Sequence, residues 1–313
     1  MVKSLVKVFR DVRKAGLTTT LLPSFTLPLF TVSKDGRKAL KKYGYCRDLI
    51  LMLDDARLYA SSDSSKCIEY AGYLSGSWYD VETYSRNVSE DLREVVDSLT
   101  LLYSDVGISV SPVDDVELLS VISLSRNTDY HKNAVPWARK LLETSPSLEA
   151  LAWIDRRYLA GRVGNSYQVL ELPDILKCYA RFRSELTEDP ESSRILLQCR
   201  GIGSKTLYAY MLFVRLATSY APIDVNLLKF LRRFSVLNAL TTNYKQPVKE
   251  YCMRYSCGEC PRSDKCLEES LRRRLGGLNG WFQTIVYLHS KVFCSQGRCV
   301  ECVFKRSCLT RLR

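Results

Sequence analysis

The 313-residue sequence lacks any apolar run near the roughly 20 residues that a membrane-spanning helix requires. The best candidate, residues 18–32, is short and is interrupted by Pro23 and Pro28, so we predict a strand and a turn there. The basic N-terminal stretch, residues 1–16, shows no apolar core followed by a small-residue cleavage site. We therefore expect an intracellular, cytoplasmic protein without a secretory signal and with no membrane partner.

Acidic residues are in deficit, with 34 Asp and Glu against 46 Lys and Arg, which gives a formal charge of +12. Such an excess favours a polyanionic partner. The segment from Lys245 to the end carries a net +8 of this charge. The remaining composition, 46% hydrophobic and 26% charged, is that of an ordinary globular protein.

No low-complexity linker divides the chain, so we expect its domains to be packed together. Short β-type runs at residues 25–32 and 48–61 predict strands, and Ser89 is placed to cap a following helix. From residue 113 onward apolar residues recur three and four apart, which predicts helices. The predicted fold is mainly α with a small N-terminal α+β domain. The predicted divisions are residues 1–110, 111–245, 246–275 and 276–313.

Eight of the twelve cysteines form two sets with identical C-x4-C-x2-C-x5-C spacing. A C-x2-C pair lets one tight turn present two thiolates to a metal centre, and the flanking cysteines can close the cage. Two such sets predict two metal sites, since cysteines inside cells seldom form disulfides outside hyperthermophiles. The first set is Cys252, Cys257, Cys260 and Cys266, and the second is Cys294, Cys299, Cys302 and Cys308.

The spacing favours iron over zinc, because zinc knuckles usually pair two C-x2-C units and each set here has one. We expect a [4Fe-4S] cluster in the second set, and a second [4Fe-4S] cluster or a zinc ion in the first. The other four cysteines have no ligand spacing and are predicted to be small core residues. They are Cys46, Cys67, Cys178 and Cys199.

Residues 199–234 contain a Gly-x-Gly turn between two helical patterns. Gly201 and Gly203 permit a tight turn, and the second helix is predicted to begin near Ser204. Backbone N–H groups at such a turn and helix start can bind a phosphate without reading base sequence, because that helix end carries partial positive charge.

The segments "GIGSKT" and "PIDVNLLKFLRRF", followed by a C-terminal cysteine set, resemble the helix-hairpin-helix (HhH-GPD) DNA glycosylase superfamily of endonuclease III and 8-oxoguanine DNA glycosylase. The resemblance covers residues 113–313. The ending "VYLHSKVFC" is similar to the cluster end of endonuclease III, including His289, which we expect to pack beside a cluster. The first cysteine set is an insertion relative to endonuclease III.

The resemblance implies that Lys205 is the catalytic lysine and Asp224 the catalytic acid. A carboxylate can stabilise positive charge at C1′ as the base leaves, and an uncharged amine can form a Schiff base there. Two plainer interpretations remain open: Asp224 as a helix N-cap, and Lys205 as a surface lysine on phosphate. The implied activity is a base-excision DNA glycosylase with AP lyase activity.

The resemblance also implies a partner, double-stranded DNA with a damaged base, and we expect a monomer. Gly201, Gly203, Ser204, Arg126, Asn127 and Arg298 are the predicted DNA-binding residues. Wedge and pocket residues are expected around Arg126, Asn127 and Tyr130, at the position where the family carries a lesion-contacting glutamine. Trp137, Trp153 and Trp281 are predicted core residues. An oxidised base is the favoured substrate; a deaminated or mismatched base, or a non-catalytic DNA-binding metalloprotein, are the alternatives.

Overall fold

The computed structural model describes residues 5–11, 17–54, 57–144 and 150–309. The expectation of no secretory signal rests on residues 1–16, part of which lies outside these ranges. The described residues form five strands: β1 Leu5–Asp11, β2 Phe30–Val32, β3 Lys38–Lys41, β4 Ile50–Asp54 and β5 Arg57–Ser62. None of the helices in the described ranges is both long enough and apolar enough to span a bilayer.

Fourteen α-helices are found in the described ranges. The first seven are α1 Leu17–Leu21, α2 Ser65–Ser75, α3 Val81–Ser85, α4 Glu90–Tyr103, α5 Asp115–Leu124, α6 Val135–Thr144 and α7 Arg156–Arg162. The others are α8 Tyr167–Phe182, α9 Ser204–Phe213, α10 Val225–Arg233, α11 Ser235–Asn243, α12 Lys249–Arg254, α13 Leu267–Leu275 and α14 Asn279–His289. The mainly α fold class with a small N-terminal sheet domain is confirmed.

The N-terminal sheet is antiparallel throughout, in the order β1-β5-β4-β3-β2. The predicted strand at residues 48–61 is a pair, β4 and β5. The strand predicted at 25–32 is confirmed only for its end, because Leu27–Leu29 forms a 3₁₀ turn around Pro28. Proline fixes φ near −65° and donates no hydrogen bond, which suits a turn better than a strand interior. Sequence analysis missed β1 and β3.

Helix starts were predicted with mixed success. Ser89 is the N-cap of α4 as predicted, although its hydroxyl donates to Asp91 Oδ1 at 2.5 Å instead of accepting from the helix backbone. The apolar pattern of residues 172–186 predicts a helix that starts near Pro173. The helix begins earlier, because Ser166 caps α8 by accepting from Val169 N. Pro173 therefore lies inside α8.

A buried ion pair joins the sheet to the helical core. Lys41 of β3 and Asp114, the N-cap residue of α5, lie 2.9 Å apart and are almost fully buried. Trp281 of α14, fully buried as predicted, donates to the carbonyl of Val106 at 2.7 Å. Trp153 corrects the prediction: it is 80% exposed, with Lys177 Nζ 5.0 Å from its ring centroid.

Two disulfides correct the prediction for the four cysteines without ligand spacing. Cys46 pairs with Cys67, and Cys178 pairs with Cys199. Three of the four are buried, as expected of core residues. The fold brings each pair of Cα atoms to 5.5 or 5.6 Å, within the range that a disulfide spans. The second bond ties the residue before the Gly-x-Gly turn to α8.

Candidate active site at the hairpin

The Gly-x-Gly turn lies between a 3₁₀ helix, Pro190–Gln198, and α9, which begins at Ser204 as predicted. Gly201 has φ +88°, in the left-handed region, and a Cβ there would lie 2.9 Å from Arg126 Nη1. Gly203 has φ −110° and open space around it, so the turn itself does not require glycine at this position. The backbone conformation of the turn therefore requires glycine only at position 201.

Lys205 and Asp224 line the same cavity, which has a volume of about 400 Å³. Lys205 is exposed in the first turn of α9, and Asp224 is half-buried immediately before α10. The walls include aromatic rings and a row of polar groups. The other lining residues are Pro23, Phe25, Ser125, Thr128, Asp129, Tyr130, Phe213, Pro222, Val225, Asn226, Lys229, Gln283, Tyr287, Lys291 and Ser295.

The carboxylate of Asp224 makes two different contacts. Its Oδ1 accepts from Leu227 N at 2.7 Å, which is the N-cap bond of α10. Its Oδ2 accepts from Gln283 Nε2 of α14 at 3.4 Å. Asp224 is thus a helix cap and a cavity residue at once, so the capping interpretation and a role at the cavity are compatible.

The Arg126 side chain forms hydrogen bonds within the protein. Its guanidinium donates to Ser123 O at 2.8 Å, to Gly201 O at 2.8 Å and to Glu171 Oε2 at 3.0 Å. It is not among the residues lining the cavity. Its three bonds fix the end of α5 against the hairpin, and a direct contact with DNA stays a prediction.

The neighbouring loop brings one predicted residue to the surface and another to the cavity wall. Asn127 is exposed, has φ +50° and donates to Tyr167 OH at 3.1 Å. Tyr130 is buried, lines the cavity and donates to Ser24 O at 2.6 Å. Its ring meets Phe25 edge-on at 5.3 Å between centroids, which gives that wall a rigid aromatic surface.

Lysine side chains line the cavity. Lys229 and Lys291 line it together with Lys205. Lys291 Nζ lies 3.3 Å from Asp129 Oδ2. The Lys132 backbone amide and the Lys291 ammonium hold the pKa of Asp129 below its usual value, so the Asp129 carboxylate is charged at neutral pH and offsets the positive charge beside it.

The second cysteine set surrounds a cavity of about 170 Å³, shared with His289, Phe293 and Phe304. His289 is buried, and burial lowers its pKa to about 4, so the ring is neutral. Its Nδ1 lies 3.1 Å from Tyr103 OH and its Nε2 lies 3.3 Å from Cys302 Sγ. When Nδ1 accepts from Tyr103, Nε2–H can donate to the sulfur, as a residue packed beside a metal centre would.

The first cysteine set surrounds a smaller space, about 20 Å³, lined also by Arg194 and Tyr208. Burial raises the pKa of the Cys266 thiol to about 11, so its thiolate would need a bound metal or a cation to stabilise it. None of these eight described cysteines forms a disulfide. Among the described residues, no group of three or more His, Cys, Asp or Glu side chains is arranged to hold a single metal ion.

Two further predicted DNA-binding residues, Ser204 and Arg298, have contacts within the protein. Ser204 begins α9, and its hydroxyl donates to Pro247 O at 3.2 Å. Arg298 lies on the loop between the cysteines of the second set, where it pairs with Glu301. Its guanidinium carbon is 5.3 Å from the centroid of Phe293. DNA contact by either residue stays a prediction.

No protein-family model and no curated protein matches the sequence. Three-dimensional comparison finds MBOgg1 bound to a low-affinity DNA ligand, with 16% identity, a TM-score of 0.66, and coverage of 94% of this chain and 99% of that one. The Clostridium acetobutylicum 8-oxoguanine glycosylase/lyase in complex with DNA aligns with 14% identity, a TM-score of 0.62, and coverage of 93% and 99%. The 3-methyladenine DNA-glycosylase from Archaeoglobus fulgidus aligns with 15% identity, a TM-score of 0.61, and coverage of 91% and 98%.

The chain has the fold of the DNA glycosylases. This confirms the structural part of the resemblance. The glycosylase fold here also positions two cavity residues that sequence analysis missed, Gln283 and Tyr287. Their spacing of four on an apolar helix was the available signal, because residues four apart share a helix face.

Proposed function

We propose that the protein is a base-excision DNA glycosylase with AP lyase activity that acts on an oxidised base in double-stranded DNA, as a monomer inside the cell. The observation that carries the proposal is that Lys205 and Asp224 line one cavity beside the hairpin of a glycosylase fold. A DNA-binding protein without catalysis would not need an amine and a carboxylate at the same cavity.

Asp224 would act on the sugar. As the glycosidic bond stretches, C1′ gains positive charge, and a fixed carboxylate nearby stabilises it. The cap bond to Leu227 and the bond from Gln283 hold this carboxylate in place before the substrate arrives. Little reorganisation is then needed at the moment of reaction.

Lys205 would act as the nucleophile. Its neutral amine forms a bond to C1′ while the base departs with the glycosidic electron pair, and the attached nitrogen loses one proton. The C1′–O4′ bond then breaks, O4′ takes up a proton, and a protonated Schiff base remains at C1′. Removal of a C2′ proton then expels the 3′ phosphate by β-elimination. Lys229 lines the same cavity and supplies positive charge for the backbone phosphates.

The cavity has features suited to an extruded base. Reaching a base in a duplex requires flipping it out, at a cost of a few kcal/mol. Phe25, Phe213 and Tyr287 offer aromatic surface for stacking, and the Tyr287 hydroxyl is buried without a partner in the described protein. The neighbours named for 8-oxoguanine support an oxidised base. The 3-methyladenine neighbour shows that the fold also accommodates other lesions, so deaminated or mismatched bases are the alternative.

We further propose a [4Fe-4S] cluster held by Cys294, Cys299, Cys302 and Cys308. Four thiols facing one space of about 170 Å³ suit a cluster of eight atoms, and the His289 Nε2 can donate to Cys302 Sγ. The first set shares the spacing of the second, which favours a second cluster, and a zinc ion is the alternative. Iron and zinc counts decide: about eight iron atoms per chain mean two clusters, and about four with one zinc mean one of each.

Borohydride trapping on a panel of duplex oligonucleotides, each with one lesion, tests the activity. We expect a covalent adduct with at least one oxidised base and with an abasic site. An adduct only with uracil, hypoxanthine or mismatched thymine would support the alternative substrate. No adduct with any duplex would overturn the lyase assignment.

A further inference from the structure

The inserted cage, defined as residues 246–275 with the first cysteine set, contacts both segments that carry the proposed catalytic residues. The hairpin segment carries Lys205, and the segment Ala221–Asp224 leads into α10. These two segments reach the cavity from different parts of the chain. A part of the protein that contacts both segments can therefore fix the position of one relative to the other.

The contact with the hairpin runs through the cysteines themselves. Tyr208, three residues after Lys205 on α9, places its hydroxyl 3.3 Å from Cys252 Sγ. Arg194, in the 3₁₀ helix before the turn, donates to Cys257 Sγ at 3.3 Å and to Cys252 O at 2.9 Å. A metal-bound thiolate is an acceptor only, so both donors suit a loaded cage.

Two more bonds link the inserted cage to the turn. Lys249 Nζ donates to Cys199 O at 3.2 Å, and Ser204 Oγ donates to Pro247 O at 3.2 Å. These bonds lie on either side of the Gly-x-Gly turn. Cys199, two residues before the turn, and Ser204, directly after it, are thus both held by the inserted cage.

The contact with the Asp224 segment runs through Glu268, two residues after Cys266. Its fully buried carboxylate accepts from Ala221 N at 3.0 Å and from Asn279 Nδ2 at 3.2 Å. Ala221 lies three residues before Asp224. Glu268 lies on α13, close in sequence to the last cysteine of the set. A displacement of the inserted cage would therefore move the carboxylate that binds Ala221 N.

We propose that the inserted cage is a metal-bound brace that sets the position of Lys205 relative to Asp224, with Arg194, Tyr208 and Glu268 as its positioning residues. The inference deepens the proposed function and rests on it for the roles of Lys205 and Asp224. Metal bound by the four thiols would keep the Arg194 and Tyr208 contacts in place. Loss of the metal would release the hairpin first, since its contacts go to the sulfurs.

Metal retention in the purified full-length protein tests the contact with the hairpin. Iron and zinc release is followed with colorimetric chelators in wild type, Tyr208→Phe and Tyr210→Phe. Tyr210 lies on the same helix, is equally buried, and contacts Tyr179 instead of the cage. We expect release of part of the metal to be about 10- to 100-fold faster in Tyr208→Phe, with Tyr210→Phe unchanged. Equal release from the two variants, or wild type with metal in only the second set, overturns the proposal.

Hydrogen exchange of backbone amides tests the brace itself. Cys257→Ser is compared with Cys299→Ser, which disrupts the second set by the same change. We expect exchange at residues 199–206 and 221–224 to be at least about tenfold faster in Cys257→Ser only. Glu268→Gln, a milder change, should raise exchange at 221–224 alone. Unchanged exchange in Cys257→Ser and Glu268→Gln overturns the brace. If the wild-type protein forms no borohydride-trapped adduct with DNA, the proposed function is wrong. Metal release and hydrogen exchange still test the brace in that case.

Discussion

Gln283 Nε2 and Asp224 Oδ2 lie 3.4 Å apart, while the other oxygen of the same carboxylate caps α10. Oδ1 therefore stabilises the start of α10, and the Gln283 side chain from α14 holds Oδ2 toward the cavity. The two roles of Asp224 can be separated by substitution, because asparagine caps helices about as well as aspartate does.

Asp224→Asn is expected to keep the fold and lose most base removal. The amide oxygen can still accept from Leu227 N, so the free energy of unfolding should change by less than about 1 kcal/mol. Loss of the negative charge should slow single-turnover base release by about 10²- to 10³-fold. Asp224→Ala is the control, with an added loss of about 0.5–2 kcal/mol of stability from the missing cap. Normal base release by Asp224→Asn would remove Asp224 from the mechanism.

Lys205→Gln is expected to abolish borohydride trapping while DNA binding persists, because the amide cannot form a Schiff base. Lys229→Gln is the matched control, since Lys229 lines the same cavity and is the same residue type. It should weaken binding and retain trapping. Trapping by Lys205→Gln at the wild-type level, or its loss in Lys229→Gln alone, would assign the nucleophile to another lysine.

The hairpin and its flanking acid were predictable because their signals are local. A left-handed turn favours glycine, and Gly201 adopts that conformation with φ +88°. The helix start at Ser204 and the cap at Asp224 follow from residue types within one turn of the helix. Gln283 was missed because it meets Asp224 across 59 positions of sequence, and no local pattern encodes that approach.

The wrong predictions in the N-terminal half also arise because local sequence patterns do not encode contacts between distant parts of the chain. The four-residue β3 is too short for alternation to stand out, and it exists because β2 and β4 pair with it on both sides. Trp153 was expected in the core by helical spacing, yet it ends a short 3₁₀ turn that leaves the ring in solvent. The disulfides depend on Cα distances that only the folded chain defines.

Arg126→Lys is expected to destabilise the protein without changing how DNA binding depends on salt. One ammonium cannot replace the fork that reaches Gly201 O and Glu171 Oε2. The free energy of unfolding, measured by urea titration, should fall by about 1–3 kcal/mol. A fall in the salt slope of DNA binding, with stability unchanged, would instead favour the predicted DNA contact.

Arg298→Gln is expected to give the opposite result. Its guanidinium is on the surface, where it pairs with Glu301 and lies over the Phe293 ring, so stability should stay close to that of wild type. If Arg298 meets a phosphate, the slope of log affinity against log salt should fall by about one. Glu301→Gln, which frees the arginine, should raise affinity. An unchanged slope in Arg298→Gln would place the DNA elsewhere.

Glu117→Gln is expected to flatten the dependence of stability on pH. Burial, and next the Asp114 charge, raise the pKa of Glu117 on α5 to about 7, despite the nearby Lys41. A folded-state pKa above the unfolded value of 4.5 gives a contribution that is fully present below pH 4.5 and is lost as pH rises through about 7. The loss should be on the order of 3 kcal/mol in wild type and absent in Glu117→Gln. Urea titrations at several pH values measure it, with Glu94→Gln on the exposed face of α4 as the control for charge removal. An equal slope in wild type and Glu117→Gln would show that this carboxyl does not control the profile.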